Sequence, residues 1–269
     1  MIRLRRYLPA RHARFRLSAE SDDAHGASLR LLTLNARQGF NALQRRHALP
    51  CIREGLGNSG ADLVFLQEIG VATGSDMPVS QYEMLADVVW PQHAYGRNAA
   101  VTGGHHGNAL LSKYPIASWG NVDLSVGRAE PRGMLHCRVR LTPASQPLHA
   151  LCLHLGLREA HRRQQVGLLL EFIAVNVPTD APLVVAGDFN DWRGSAHARL
   201  TREGSLEEIY AAATGRPART FPARCPVLRL DRIYVRNLRH RPHALPRRPW
   251  RGLSDHAPLG GVVTLRLPG

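Results

Sequence analysis

Residues 182–191, PLVVAGDFND, join a short apolar run to a glycine and two polar residues. The run Leu183–Ala186 predicts a buried strand, and Gly187 then opens a turn. Because side chains two residues apart point the same way along an extended chain, Asp188 and Asn190 are expected to project side by side. Such a pair suits a hydrated metal ion and a phosphate. The structural alternative is an Asx turn, in which both side chains bond their own backbone.

Six further polar residues follow or interrupt apolar runs elsewhere in the chain. They are Asn35 in LLTLN, Glu68 in FLQE, His154 in LHLGL, Asp231 in LRLDRIYV, and Asp255 and His256 in LSDHAPL. Each one alone has a structural explanation, such as an ion pair of Asp231 with Arg229 or Arg232. Together they are expected to converge on one rim of the fold, because each is anchored in regular secondary structure.

The apolar pattern predicts strands and helices that alternate irregularly. The predicted strands cover residues 29–35, 62–68, 108–112, 116–124, 134–141, 148–155, 183–186, 228–235 and 257–266, with 108–112 paired to 116–124 and 134–141 paired to 148–155. The predicted helices cover residues 41–56, 76–89, 159–175, and stretches around 195–201 and 206–212. Residues 90–106 are expected to form a loop, and residues 236–251 a basic rim. Without a repeat or linker, this predicts one α/β domain of two sheets packed face to face, with helices outside.

The charge of the chain predicts an anionic partner. Of its 269 residues, 35 are Lys or Arg, and the formal net charge is +14. Such a surface attracts nucleic acid, lipid head groups or phosphorylated small molecules without choosing among them. Residues 1–27 are basic and lack the apolar region of a secretory signal. They are expected to form a flexible arm, with peripheral contact to an anionic membrane as the alternative.

The cysteines and the hydropathy indicate an intracellular protein. Cys51, Cys137, Cys152 and Cys225 are widely spaced and form no CxxC pair, which indicates free thiols in a reducing compartment. Since no apolar run of about 18 residues is present, no transmembrane helix is predicted. We therefore expect a cytoplasmic protein, membrane-peripheral if the arm binds lipid, and a monomer.

The motifs in their order along the chain carry a resemblance. They are LLTLN, FLQE, HHGNALLSKYPI, HLGLREAHRRQQ, GDFND, LDRIYV and LSDHAPL, and together they resemble the endonuclease/exonuclease/phosphatase (DNase I-like) superfamily over roughly residues 28–266. YGRN, HLGLREAH and GDFNDW are similar to a compact bacterial branch of it. The resemblance implies a four-layer sandwich of two packed mixed β-sheets flanked by helices, formed by residues 28–269 as a single domain.

The resemblance also implies a metal site. By similarity, Glu68 is the main metal carboxylate, Asn35 supports it, and Asp255 completes the site or holds a second ion. All three are oxygen ligands, so Mg²⁺ or Mn²⁺ is expected rather than zinc.

Five residues are implied to be catalytic. By similarity, Asp188 positions or deprotonates the attacking water, and Asn190 binds a phosphoryl oxygen. His256 contacts the phosphate or acts as an acid–base group, with Asp231 fixing its tautomer and favouring its protonated form. His154 holds the phosphate or assists the leaving group. Abasic-site endonucleases carry a tyrosine at the position matched to His154, so abasic-site repair is not the expected activity.

Three residues are candidates for substrate binding. Asn108 in GNALLSKYPI faces the site or simply begins a strand, and Arg97 and Arg158 grip phosphate or are solvated at the surface. The leading hypothesis is a divalent-metal-dependent phosphoesterase acting on nucleic acid, a phospholipid head group or a phosphorylated small molecule. The alternatives are a DNA endonuclease of DNase I type and a non-catalytic anion-binding protein on the same fold.

Overall fold

The computed structural model of the protein describes residues 4–9, 28–39, 48–72, 79–86, 90–127, 130–142, 145–246 and 248–265. The strands are β1 (Leu4–Pro9), β2 (Ser28–Asn35), β3 (Leu63–Ala72), β4 (Val79–Ser80), β5 (Gln92–Val101), β6 (Gly104–Ser112), β7 (Ile116–Asp123), β8 (Gly133–Val139), β9 (Leu148–His154), β10 (Leu183–Asp188), β11 (Glu207–Glu208), β12 (Asp231–Arg236), β13 (Leu238–His243) and β14 (Leu259–Leu265). The helices are α1 (Leu49–Ser59), α2 (Gln81–Ala86), α3 (Glu159–Asn176), α4 (Ser195–Glu203) and α5 (Ile209–Thr214), and Arg37–Gly39 form a 3₁₀ turn.

The strands form two mixed sheets. Sheet A has the order β1-β7-β8-β9-β10-β12-β11, and sheet B has the order β13-β14-β2-β3-β6-β5, with β4 also paired to β3. In sheet A, β9 and β10 run parallel, and in sheet B, β2 and β3 run parallel. The other pairings among the described strands are antiparallel.

Alternating side chains of the central strands enter different apolar layers. In β10, Val184 and Ala186 face the core between the two sheets, whereas Leu183 and Val185 face the helices. This double burial explains the uninterrupted apolar run of the sequence, since both faces of the strand are covered. Helices α3 and α4 cover sheet A, and α1 and α2 cover sheet B. The predicted four-layer sandwich is confirmed.

Two predicted elements agree closely with the structure. Helix α3 buries Val166, Leu169 and Ile173 on sheet A, as its apolar spacing predicts. Strands β8 and β9 form the predicted antiparallel hairpin.

The predicted pairing of residues 108–112 with 116–124 is wrong. Strand β6 pairs with β3 and β5 in sheet B, whereas β7 pairs with β1 and β8 in sheet A. The chain therefore crosses between sheets at Tyr114 and Pro115. Leu110 and Ile116 both enter the core between the sheets, so an apolar pattern cannot separate two paired strands from two facing ones.

Two strands of sheet B were missed. Residues 90–106, predicted as a loop, contain β5 and the start of β6, joined by a turn at Gly103 with φ of 76°. Residues 236–251, predicted as a basic rim, contain β13. Both β5 and β13 are edge strands. An edge strand carries polar and charged residues because one side of its backbone faces away from the sheet, so its sequence lacks an apolar signature.

Part of the predicted arm joins the fold, since Leu4–Pro9 pairs antiparallel with β7 at the edge of sheet A. The rest of residues 1–27 lies outside the described residues. So do residues 41–47 of the predicted helix 41–56, and residues 76–78 and 87–89 of the predicted helix 76–89. Among the described helices, none combines the length and the apolar composition needed to cross a membrane.

Candidate active site

The candidate site lies where the parallel strands of both sheets end. His154 is the last residue of β9, Asp188 is the last residue of β10, and the two are register partners. Asp231, the first residue of β12, is the antiparallel partner of Asp188. Asn35 ends β2 in the facing sheet. Because parallel strands end at one edge, the fold brings these four side chains together from positions far apart in the sequence.

Glu68 reaches the site through a distortion of β3 rather than at a strand end. The strand continues to Ala72, so the predicted end at Glu68 is wrong. Glu68 has φ of 54°, and the register with β6 shifts between Leu66 and Ile69. Such a bulge changes the direction of a side chain. It allows Gln67 to stay buried in the core while the partly exposed Glu68 carboxylate turns towards Asn35.

Asn35 links the carboxylates of the two sheets. Its Nδ2 donates to Glu68 Oε1 at 3.1 Å and to Asp188 Oδ2 at 3.1 Å. Both donors of one buried amide are therefore satisfied by carboxylates, which holds Glu68 and Asp188 at a fixed separation.

Asp188 lies between two imidazoles. Its Oδ2 is 3.5 Å from His154 Nε2 and 3.7 Å from His256 Nε2. Its Oδ1 accepts a hydrogen bond from the backbone N–H of Asn190 at 2.9 Å, so the Asx turn considered as a structural alternative is present within the site itself.

The amide of Asn190 is committed to neighbouring protein groups. Its Nδ2 donates to the Leu155 carbonyl at 3.0 Å and lies 3.1 Å from His154 Nε2. An amide that donates to Nε2 requires the proton of neutral His154 to be on Nδ1, which lies 3.9 Å from Glu68 Oε1. Since both amide protons are used, the predicted contact of Asn190 with a phosphoryl oxygen would displace His154. The arrangement instead positions that imidazole.

His256 forms a buried pair with Asp231. The His256 Nδ1 atom is 2.8 Å from Asp231 Oδ2. Burial alone would lower the pKa of His256, but the carboxylates of Asp231, Asp188 and Asp255 outweigh it and raise the pKa to about 10. The imidazole is therefore protonated at neutral pH, and its Nε2–H is directed at Asp188. The expected tautomer control by Asp231 agrees with this geometry.

The sequence-based ion pair of Asp231 with Arg229 or Arg232 is absent among the described residues. Arg232 instead pairs with Asp191, with the Arg232 Nη1 atom 3.2 Å from Asp191 Oδ2. Alternate side chains of β12 face opposite sides of sheet A, so Arg232 cannot share the environment of Asp231.

His154 has the opposite electrostatic environment from His256. Burial is the largest influence and lowers its pKa to about 3, assisted by the positive charges of Arg132, His256 and His106 and opposed by Asp188. The site therefore combines a neutral imidazole and an imidazolium on either side of one carboxylate. This combination can donate a proton or hydrogen bond from His256 and accept one at Asp188.

Ser254 fixes the SDH segment to the end of β2. Its hydroxyl donates to the Asn35 carbonyl at 2.7 Å and accepts from the His256 N–H at 3.3 Å. Asp255, predicted as a metal ligand, is partly exposed and lies 3.4 Å from Arg37 Nε. The structure thus brings Asp255 to the margin of the site, in an ion pair.

The donor set suits a hard divalent cation. The Asp188, Asp231 and His256 side chains each offer a ligand atom within 4.8 Å of the others. Asp231 Oδ1 is buried without a hydrogen-bond partner among the described residues, and a buried unpaired oxygen favours a cation. Since His256 is protonated by its carboxylate neighbours, the oxygen atoms rather than its nitrogen are the better ligands. Asn35 and Glu68 remain the predicted ligands beside this cluster.

The three predicted substrate-binding residues have different environments. Asn108 is fully buried and donates to the carbonyls of Gly133 at 2.8 Å and Cys152 at 3.2 Å, so it joins sheet B to sheet A. Arg97 and Arg158 are exposed. Arg158 directly precedes α3, four residues after His154.

Sequence reasoning did not identify Arg132 or Trp192 as residues near the site. Arg132 is largely buried, pairs with Glu130 at 2.9 Å, and is close enough to lower the pKa of His154. Its signal was the unassigned PRG sequence, whose glycine begins β8. Trp192, two residues after Asn190, is 45% exposed and has the Arg162 guanidinium 4.5 Å from its ring centroid.

Comparison with known proteins places this geometry in a family. Residues 32–256 match the sequence model of the Endonuclease/Exonuclease/phosphatase family. The chain belongs to this family. The predicted resemblance is thereby confirmed. Members of the endonuclease/exonuclease/phosphatase family are generally metal-dependent phosphodiesterases or phosphatases, so the carboxylates and imidazoles at the strand ends lie in a fold that commonly supports phosphate-ester hydrolysis.

Individual relatives support the same assignment. Uncharacterized protein YbhP of Escherichia coli strain K12 is 48% identical over 252 residues, which cover 91% of this chain and 99% of that protein. An endonuclease/exonuclease/phosphatase from Beutenbergia cavernae has a TM-score of 0.71 at 18% identity, covering 88% of this chain and 72% of that chain. Truncated Caenorhabditis elegans TDP2 has a TM-score of 0.63 at 16% identity, covering 88% of this chain and 97% of that chain. At such identities the two structures show the shared fold alone.

Proposed function

We propose that the protein is a divalent-metal-dependent phosphoesterase that hydrolyses a phosphodiester or phosphomonoester by in-line attack of water. The observation that carries the proposal is the pair of buried histidines with opposite pKa shifts on either side of Asp188. Groups whose environments push their pKa values apart are the arrangement that general acid–base catalysis requires.

The metal would be held by carboxylate and amide oxygens. Asn35 Nδ2 lies 3.1 Å from both Glu68 Oε1 and Asp188 Oδ2, and Mg²⁺ or Mn²⁺ fits carboxylate and amide oxygens. Since Asn35 Oδ1 accepts from the Arg37 N–H at 3.1 Å, the amide would have to rotate to offer that oxygen to the ion. When bound, the ion supplies charge neutralisation for the phosphate and for the leaving oxygen. We keep Asp255 as the candidate for a second ion, which would have to compete with Arg37 for its carboxylate.

The protein groups would share the remaining chemistry. Asp188 holds the attacking water and accepts its proton, because its Oδ2 atom faces the centre of the site. The imidazolium of His256 donates from Nε2 to a phosphoryl oxygen, since Nδ1 is used by Asp231. Neutral His154, oriented by Asn190, assists the leaving group. A fixed donor at a site of developing negative charge lowers the barrier without reorganisation.

The test is hydrolysis of bis-p-nitrophenyl phosphate and p-nitrophenyl phosphate with Mg²⁺, Mn²⁺ or EDTA. We expect EDTA to abolish turnover, and Asp188→Ala and His256→Ala each to lower kcat by about 10²–10⁴-fold, the usual contribution of acid–base groups. Asp180→Ala and His93→Ala are matched controls at exposed positions and should keep wild-type activity. Full activity in either site variant would contradict the assigned roles.

The same assay distinguishes the alternatives. Cleavage of bis-p-nitrophenyl phosphate and also of plasmid DNA would identify a DNase I-type endonuclease. Cleavage of bis-p-nitrophenyl phosphate and of phospholipid, without cleavage of DNA, would identify a phosphodiesterase that acts on lipid head groups. Hydrolysis of the monoester alone would identify a phosphatase. Metal binding by calorimetry without turnover of any phosphoester would favour a non-catalytic anion-binding protein.

A further inference from the structure

A cavity of about 350 Å³ lies beside the segment that carries Asp255 and His256. Its volume is in the range of small-molecule sites. Charged and apolar side chains share its lining, and the principal ones are Arg224, Arg248, Arg251, Leu245, Trp250 and Pro258. We call this cavity the arginine pocket.

In the part of the chain that the structure describes, no acidic group pairs with the arginines of the arginine pocket. The side chains of Arg224, Arg248 and Arg251 have no ion pair or hydrogen bond among the described residues. The described lining also contains no acidic residue. One exposed arginine is ordinarily solvated, but three around one partly apolar cavity create a positive potential that favours an anion. The apolar lining favours a ligand that is not a simple inorganic ion.

The apolar wall of the arginine pocket is fixed in place. Trp250 is 4% exposed and packs against α1 at Gly55, where an added Cβ would lie 3.0 Å from the indole ring. A side chain larger than glycine at this position would require the indole to shift by a few tenths of an ångström. The buried indole therefore supports the wall of the pocket from behind.

The arginine pocket adjoins the catalytic segment. Ala257 and Pro258, which line it, directly follow His256. Ala223, also in the lining, donates its N–H to the Asp255 carbonyl at 2.7 Å. The arginine pocket and His256 therefore share one backbone segment, which is the link between the pocket and the candidate active site.

We propose that the arginine pocket binds the organic part of the substrate next to the scissile phosphate, and that this part combines an apolar group with a second anionic group. The inference rests on the proposed phosphoesterase function. The arginines bind the second anion through charge-assisted hydrogen bonds. Leu245 and Pro258, which are partly exposed, pack against the apolar group on a wall backed by the buried Trp250. Binding energy from such a remote group can be used at the reacting centre.

Binding is tested first, in EDTA and without turnover. The probes are hexyl phosphate, inorganic phosphate and 1-hexanol, titrated by calorimetry. Hexyl phosphate should bind at least about tenfold more tightly than either, and Arg224→Gln with Arg251→Gln should weaken it at least about tenfold, as expected for charged hydrogen bonds. The control pair Arg138→Gln with Arg140→Gln removes two exposed charges near the opposite end of β8 from the site, and it should leave binding unchanged.

Three outcomes of the calorimetric titrations would overturn the proposal. Equal weakening by both arginine pairs would mean that net charge alone binds the probe. Binding lost in His256→Gln but kept in the Arg224/Arg251 variant would place the probe at the catalytic site. If hexyl phosphate binds no more tightly than inorganic phosphate, the pocket does not recognise an apolar group and the proposed ligand class is wrong.

Kinetics separate this inference from the proposed function. For a hexyl diester that carries a second phosphate, the Arg224/Arg251 variant should raise KM at least about tenfold with kcat nearly unchanged. Bis-p-nitrophenyl phosphate has no second anion, so its KM should not change; an equal KM increase for both diesters would contradict the pocket. If the protein turns over no phosphoester but still binds hexyl phosphate through these arginines, the proposed phosphoesterase function fails. The proposed ligand class of the arginine pocket then stands.

The source of the ligand is a further arm of the binding test. Vesicles of phosphatidylglycerol in phosphatidylcholine that bind wild type and not the Arg224/Arg251 variant support a lipid ligand. Binding of hexyl phosphate without vesicle binding supports a soluble phosphorylated compound. Absence of both interactions overturns the proposal.

Discussion

Replacing Asp231 with Asn tests the electrostatic origin of the His256 charge. The substitution keeps the shape of the side chain and can still accept from Nδ1, but it removes the carboxylate 2.8 Å away. The pKa of His256 stands at about 10 against an ordinary 6.5, which is about 5 kcal/mol in favour of the imidazolium. A hydrogen bond between charged groups contributes about 1.5–3 kcal/mol more than none, so we expect the pKa to fall by about 2 units.

This fall predicts a pH-dependent loss of activity with a definite sign. In wild type the imidazolium persists up to pH near 10, whereas in Asp231→Asn it would be half deprotonated near pH 8. The ratio of wild-type to variant kcat/KM should therefore grow from about 2 at pH 8 to about 10 at pH 9, beyond any pH-independent loss. The basic limb of the variant profile moves to lower pH, because it is the protonated form that donates to the phosphate.

The assay is the pH profile of kcat/KM with Mg²⁺, together with NMR titration of the His256 ring in EDTA. Asp180→Asn, at an exposed position, is the matched control and should leave both measurements unchanged. A His256 ring in Asp231→Asn that stays protonated to pH 10 would refute the electrostatic reasoning. If the pKa of the His256 ring falls but the pH profile of kcat/KM does not move, Asp231 does control the charge of His256. In that case His256 is not the proton or hydrogen-bond donor to the phosphate.

The remaining predictions concern stability. Gly187→Ala should lower the free energy of unfolding by about 3 kcal/mol in urea titration, because a Cβ at φ of 148° would collide with the backbone of β9; Gly57→Ala, which meets no atom within 4 Å, should not destabilise. Arg232→Met should cost about 3–5 kcal/mol, because Asp191 would stay buried without its partner; an unchanged midpoint would contradict this. Burial and nearby cations lower the pKa of His136 to about 3. The contribution of neutral His136 to the free energy of unfolding is therefore present above pH 6.5 and lost as the pH falls below it. His136→Gln removes this titration, so the free energy of unfolding should fall by about 2 kcal/mol less between pH 7 and pH 5 than in wild type.

The central strands could be predicted because their neighbours leave little freedom. Both faces of β10 are buried, so the residues of its predicted run must be apolar. The predicted turn at Gly187 is wrong, because β10 continues through Gly187 to Asp188. The glycine is needed there because an added Cβ would collide with the backbone of β9. The edge strands β5 and β13 were missed because partial solvent exposure imposes no such pattern. Glu68 lies beside Asn35, but a bulge and not the predicted strand end turns its side chain there.

The sequence by itself determined which chemical groups stand at the ends of buried strands, and through their order it determined the family. It could do so because apolar periodicity and turn residues are local properties of the chain. Only the tertiary structure decided the protonation states of those groups. His154 and His256 are the same residue type, yet one is neutral and the other charged. That difference depends on burial and on carboxylates and arginines distant in sequence, and both are fixed only when the two sheets pack together.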